Sequence, residues 1–221
     1  MLFHGTTHKF EKFDLSSGNP MNHVGIGVYL TDSLWDCEKH YTDSSGPDLK
    51  NRIENLADSL LDNDPSLGWF EAHTQAKKAL VGPARRVLTC EIKPEAKLLT
   101  LGKHYVEMYN YGTMPDDEIE LSKFGANLND ILAGCGYSSS DIISDGEMTT
   151  AEILKALSKL LCDNDVWYGE IFKEIVIAAG YDGIEYEDAS QWFRMVEHYT
   201  KHFVVYKPEL VSIISVEELG E

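Results

Sequence analysis

The chain has 221 residues, 43% of them hydrophobic, which is enough to bury the core of one domain and argues against overall disorder. Lys and Arg number 19 against 37 Asp and Glu, a formal charge of -18 that disfavours a phosphate backbone as ligand and favours cationic partners. Cys37, Cys90, Cys135 and Cys162 lie far apart with no Cys-x-x-Cys, so buried free thiols are expected rather than a zinc site or a disulfide framework. Met1-Leu2-Phe3-His4 carries no basic region, and no segment approaches a membrane span in length and apolarity, so a soluble cytoplasmic protein is expected.

Leu2 and Phe3 start a strand, and His4-Gly5 places an imidazole beside a backbone with no Cβ to block a planar ligand. After a turn cluster at Ser16-Ser17-Gly18-Asn19-Pro20, Gly25 and Gly27 lead into a second strand whose alternation sends Tyr29 and Thr31 to one face and Val28 and Leu30 to the other. Asp32-Ser33 caps a short helix that carries Tyr41. Leu49, Ile53, Leu56, Leu60 and Leu61 recur at helical spacing, Asp64-Pro65 breaks the run, and a second helix continues through Ala76 and Ala79 until Gly82-Pro83. Val87 to Ile92 alternates as a strand, and Leu98-Leu99 extends the sheet after Pro94.

From Tyr105 to Ser144 the text is irregular and includes the acidic run Met114-Pro115-Asp116-Asp117-Glu118; Thr149-x-x-Glu152 then forms a capping box ahead of an apolar helical face. A further helix through Val166, Ile171 and Val176 is stopped by Gly180 in the left-handed region, and Asp182-Gly183 turns the chain into a strand at Ile184.

A His4-Gly5-Thr6 strand followed by Gly25-Ile26-Gly27-Val28-Tyr29-Leu30-Thr31-Asp32 resembles the ADP-ribosyltransferases of the His-Tyr-Glu class, with phage and bacterial mono-ADP-ribosyltransferases, the anti-CRISPR type among them, the most similar. Arg86 to Ile92 is similar to that family's middle strand, and Gly180 to Tyr186 and His202 to Pro208 to its closing strands. The resemblance covers residues 1 to 48, 85 to 101 and 175 to 216. It implies a single α+β domain over residues 1 to 221, with a split antiparallel β-sheet core and helical insertions at about 49 to 82 and 105 to 165.

The resemblance further implies that NAD is the substrate, that no metal is needed, and that ADP-ribose passes to a target protein. His4 would hydrogen-bond the adenosine ribose, Gly5 backbone groups the carboxamide, and Tyr29 with Tyr41 would wall the nicotinamide, while Thr6, Gly27 and Thr31 complete the cofactor site. Each of these residues taken alone is more often structural, a satisfied histidine or an amphipathic core edge. The third catalytic position departs from the family pattern, because the place of the glutamate in the poly(ADP-ribose) polymerases of this class, just before Phe203, is held by His202. Among the residues read as a loop, Glu187-Asp188-Ala189-Ser190-Gln191, Asp188 is the first choice for the charge-stabilising group, with Glu187 and Gln191 in reserve; strand alternation disfavours Glu185. Absence of the polymerase-type glutamate suggests one ADP-ribose per acceptor, and the insertions are expected to select the target.

Three other readings compete with this one. A Rossmann site is disfavoured because Leu30 holds the third glycine position of Gly-x-Gly-x-x-Gly. An RNA 2′-phosphotransferase of related fold needs several arginines, and the matched segments offer Arg86 and Arg194. From a different class, an acidic inhibitor would occupy the cationic groove of a nucleic-acid-binding protein.

Overall fold

The computed structural model describes residues 1–18, 22, 24–101, 168–178, 180–188 and 200–220. The expected insertion at 105 to 165, with its acidic run and capping box, lies outside these residues. The described chain combines helices with a seven-stranded, mostly antiparallel sheet in the order β4-β5-β6-β2-β1-β3-β7, so the α+β class holds. The strands are β1 (Leu2–Thr6), β2 (Val28–Thr31), β3 (Arg85–Ile92), β4 (Leu98–Thr100), β5 (Gly183–Asp188), β6 (Thr200–Val205) and β7 (Val211–Leu219). The chain divides into two compact units.

The first unit comprises Met1–Lys12, Leu30–Glu91 and Ser212–Glu221. Here β1 pairs antiparallel with β3 along its whole length, from Leu2 opposite Cys90 to Thr6 opposite Arg86, and Phe3 faces Thr31 of β2. Ser33 starts the helix α1 (Leu34–Asp36) as the sequence predicts, its Oγ accepting from the Asp36 N–H at 3.2 Å. The helix then widens into a π-helix over Cys37–Tyr41, a feature that the spacing did not reveal. Arg85 on β3 holds this segment, donating from Nη2 to the Glu38 carbonyl at 3.0 Å, which also accepts from the Thr42 hydroxyl at 3.0 Å.

The helices α2 (Pro47–Asn63) and α3 (Trp69–Leu80) form a hairpin whose break falls at the expected Asp64-Pro65. Leu49, Ile53 and Ala57 of α2 pack with Ala72 and Ala76 of α3, the alanines letting the two backbones approach. Thr7 ties β1 to the end of α3: its Oγ1 donates to the Leu80 carbonyl at 3.3 Å and accepts from the Gly82 N–H at 2.9 Å.

The second unit comprises Phe13–Tyr29 and Ile92–Val211. β5 pairs antiparallel with β6, from Gly183 opposite Val205 to Asp188 opposite Thr200, and parallel with β4. The helix α4 (Tyr168–Ala178) buries Phe172, Ile175 and Val176. Gly180 ends it with φ +89°, as expected for a left-handed stop, its N–H donating to the Ile177 carbonyl at 2.9 Å. Asp182 then joins three segments, accepting from the Lys97 N–H at 2.9 Å and from Lys207 Nζ at 2.6 Å. Those bonds hold its carboxyl below the usual range, the Lys207 side chain first and the Lys97 amide next. No described helix is long and apolar enough to cross a membrane.

Candidate functional site

In the first unit, His4 is half-buried at the centre of β1, opposite Leu88, with its ring edge-on to Phe10 at 6.0 Å. Gly5 follows, and the space a Cβ would take is filled from the π-helix: such an atom would lie 2.7 Å from Tyr41 Cβ and 2.9 Å from the Cys37 carbonyl oxygen. The missing Cβ therefore serves helix packing, not the open face for a planar ligand that the sequence suggested. The consequence is that Tyr41, the last π-helical residue, is fixed against the strand that carries His4.

Two hydroxyls proposed for the cofactor site have structural uses. Thr6 Oγ1 accepts from the His8 N–H at 3.1 Å, and Thr31 Oγ1, almost fully buried, accepts from the Ser33 N–H at 3.1 Å at the entry to α1. One turn on, Asp36 and His40 are buried as a pair, Nε2 to Oδ1 at 3.9 Å, with Trp35 edge-on to the imidazole. Burial lowers the His40 pKa from 6.5, outweighing the opposing pull of Asp36.

In the second unit, Gly25 adopts φ +84°, and the turn it makes is held from two sides. The Tyr29 hydroxyl donates to the Gly25 carbonyl at 2.7 Å, and the Ile26 N–H donates to Glu170 Oε1 on α4 at 2.5 Å. Lys173 in turn pairs with the other Glu170 oxygen at 3.1 Å. Sequence reasoning missed Glu170, since nothing in its local pattern distinguishes it from a first-turn acid on a helix. Gly27 permits close approach of β6, because a Cβ there would lie 2.6 Å from Val204 Cγ1.

The structure also corrects the reading of the third position. Glu187 and Asp188 belong to β5, paired with Lys201 and Thr200 of β6, and are not in a loop; ladder pairing carries the strand two residues past Tyr186. Gln191 lies outside the described residues. His202, to which the resemblance gave the glutamate's position, is buried and stacks on Tyr186, its directly opposed partner, with centroids 5.4 Å apart and planes at 20°. Glu185 points its carboxylate to the Thr100 hydroxyl, which donates at 2.7 Å.

Gly5 and Tyr41 are thus brought together in the first unit, while Gly27 and Tyr29 in the second flank and close the turn into β2. Among the described residues, no group of three or more His, Cys, Asp or Glu is placed to hold a metal ion. No family model matches the chain, and no curated protein or solved structure matches it.

Proposed function

We propose that the protein is an NAD-dependent mono-ADP-ribosyltransferase that moves one ADP-ribose from NAD to a side chain of a target protein and releases nicotinamide. The observation that carries this reading is the close packing of the Tyr41 helix on Gly5, beside the half-buried imidazole of His4. An imidazole and an aromatic ring held on adjoining rigid elements suit the ribose and nicotinamide portions of one extended ligand. The Tyr29 phenol belongs to the second cofactor segment, with its hydroxyl fixed by the Gly25 turn.

In the proposed reaction the bond between nicotinamide nitrogen and the anomeric carbon breaks, nicotinamide leaves neutral, and positive charge develops on the ribose. An acceptor atom of the target then bonds to that carbon and loses its proton to solvent. The protein's part is to hold NAD bent, exclude water, and face the developing charge with a carboxylate. Asp188 is assigned that role, at the end of β5.

Asp188→Ala is expected to lower the transfer rate by about 10² to 10³ with NAD affinity nearly unchanged, the pattern of a group that acts only on transition-state charge. Measuring rate and affinity for Asp188→Ala, Glu187→Ala and Gln191→Ala decides between the three positions. Near wild-type turnover in Asp188→Ala would remove it from the mechanism.

The charge of -18 favours a second reading, an acidic inhibitor that occupies a cationic groove. An NAD-dependent mass increase of one ADP-ribose on a bound partner separates the two. The phosphotransferase reading is weakened because Arg86, the one of its two candidate arginines among the described residues, pairs with Glu218 at 3.8 Å.

A further inference from the structure

The tip of the α2–α3 hairpin holds the largest exposed aromatic surface among the described residues: Trp69 is 59% and Phe70 80% exposed. Neither joins the hairpin's own core of Leu49, Ile53, Ala57, Ala72 and Ala76, which is complete without them. Burial of a phenylalanine is ordinarily worth about 1.5–3 kcal/mol, so a rigid element that leaves two aromatic rings in water forgoes several kcal/mol. The Trp69 ring is already fixed in place, stacked on His73 at 5.1 Å with planes at 25°. A pre-ordered ring loses little freedom on binding, the character of an interface anchor.

The surroundings identify the partner's chemistry. Between Arg52 and Lys77 the sequence has five carboxylates and no Lys or Arg. Four of them, Asp58, Asp62, Asp64 and Glu71, are exposed on the last turns of α2, the connecting turn and the first turn of α3. Asp64 accepts from Ser66 Oγ at 2.6 Å and from the Ser66 N–H at 3.0 Å, bonds that hold its carboxyl below the usual carboxylate range.

We propose that this tip is a docking knob for a cationic amphipathic segment of a target protein, whose apolar face meets Trp69 and Phe70 and whose basic side chains meet the carboxylates. A second copy of this chain is disfavoured, because each copy carries a charge of -18 and would present the same carboxylates. The same sign of charge disfavours nucleic acid and anionic membrane. The knob stands whether or not the protein transfers ADP-ribose, since a transferase and an inhibitor both need to hold a target.

The test uses the full chain without NAD, so its result is independent of any transferase activity. The probe is a synthetic amphipathic Leu/Lys peptide, with poly-lysine and a Leu/Glu peptide of equal length as controls. Calorimetry gives affinity, and hydrogen exchange locates the footprint. Saturable binding of the Leu/Lys peptide is expected, with protection at residues 64 to 74. Phe70→Ala and the double variant Trp69→Ala/Phe70→Ala should weaken it tenfold or more and leave poly-lysine binding unchanged. Asp62→Asn/Asp64→Asn should weaken both basic peptides. Phe70→Ala is the safer variant for folding, given its exposure, and melting curves check all of them. The proposal is overturned if the Leu/Lys peptide does not bind, if it binds the aromatic variants like wild type, if protection falls elsewhere, or if the Leu/Glu peptide binds equally. It is also overturned if light scattering shows a dimer that Phe70→Ala dissolves.

Discussion

His40 illustrates how burial and charge compete at a single side chain. Asp36 at 3.9 Å favours the imidazolium, yet desolvation is the larger effect and the pKa falls below 6.5. A depressed histidine binds fewer protons folded than unfolded, so its stabilising contribution is present above pH 6.5 and is lost as the pH falls through that value toward the folded pKa. Wild type should lose stability relative to His40→Asn as the pH falls through 6.5 and below, measured by urea midpoints. A wild type that gains on the variant as pH falls would mean that attraction to Asp36 outweighs burial. The described cysteines behave as the sequence predicts, free and buried, and burial pushes the Cys90 thiol up to about 12 and Cys37 higher still. Both should resist alkylation in the native protein and react on unfolding, as peptide mass analysis would show; rapid native labelling of either would contradict their burial.

The glycines show which elements were legible in the sequence and which were not. The stop at Gly180 and the break at Asp64-Pro65 were readable because they depend on local backbone conformation. Gly5 was recognised as special for a different reason from the one the fold reveals, because contact with a helix more than thirty residues on leaves no trace in local spacing. The same holds for Glu170, whose carboxylate fixes the Ile26 amide 144 residues away. Ladder pairing that keeps Glu187 and Asp188 in β5 likewise depends on β6, which no local pattern around Tyr186 could reveal. Gly5→Ala should cost about 1–3 kcal/mol, since the new methyl would sit 2.7 Å from Tyr41 Cβ and the π-helix must shift. Chemical denaturation checks this, and a variant as stable as wild type would mean that the helix does not hold Tyr41 against β1.

Across the molecule, the helical hairpin followed from hydrophobic periodicity, while the parallel placement of β4 beside β5 did not, because strand order depends on long-range pairing. The candidate site was legible as residue types in order, His4, Gly5, Tyr29 and Tyr41, and much less as geometry. Several residues proposed for the site also carry the fold, as the Tyr29 bond to Gly25 and the Thr31 bond to Ser33 demonstrate. A substitution at such a position mixes stability with function. His4 is better placed for a clean test, half-buried on β1 with Phe10 at its edge. The decisive measurement is a calorimetric titration of NAD into the intact protein and into His4→Ala, with nicotinamide release followed on the same samples. The account predicts saturable NAD binding and slow nicotinamide release by wild type, with affinity weakened by about 1–3 kcal/mol in a variant that remains folded by circular dichroism. Absence of NAD binding by wild type, or equal affinity in the folded variant, would contradict it.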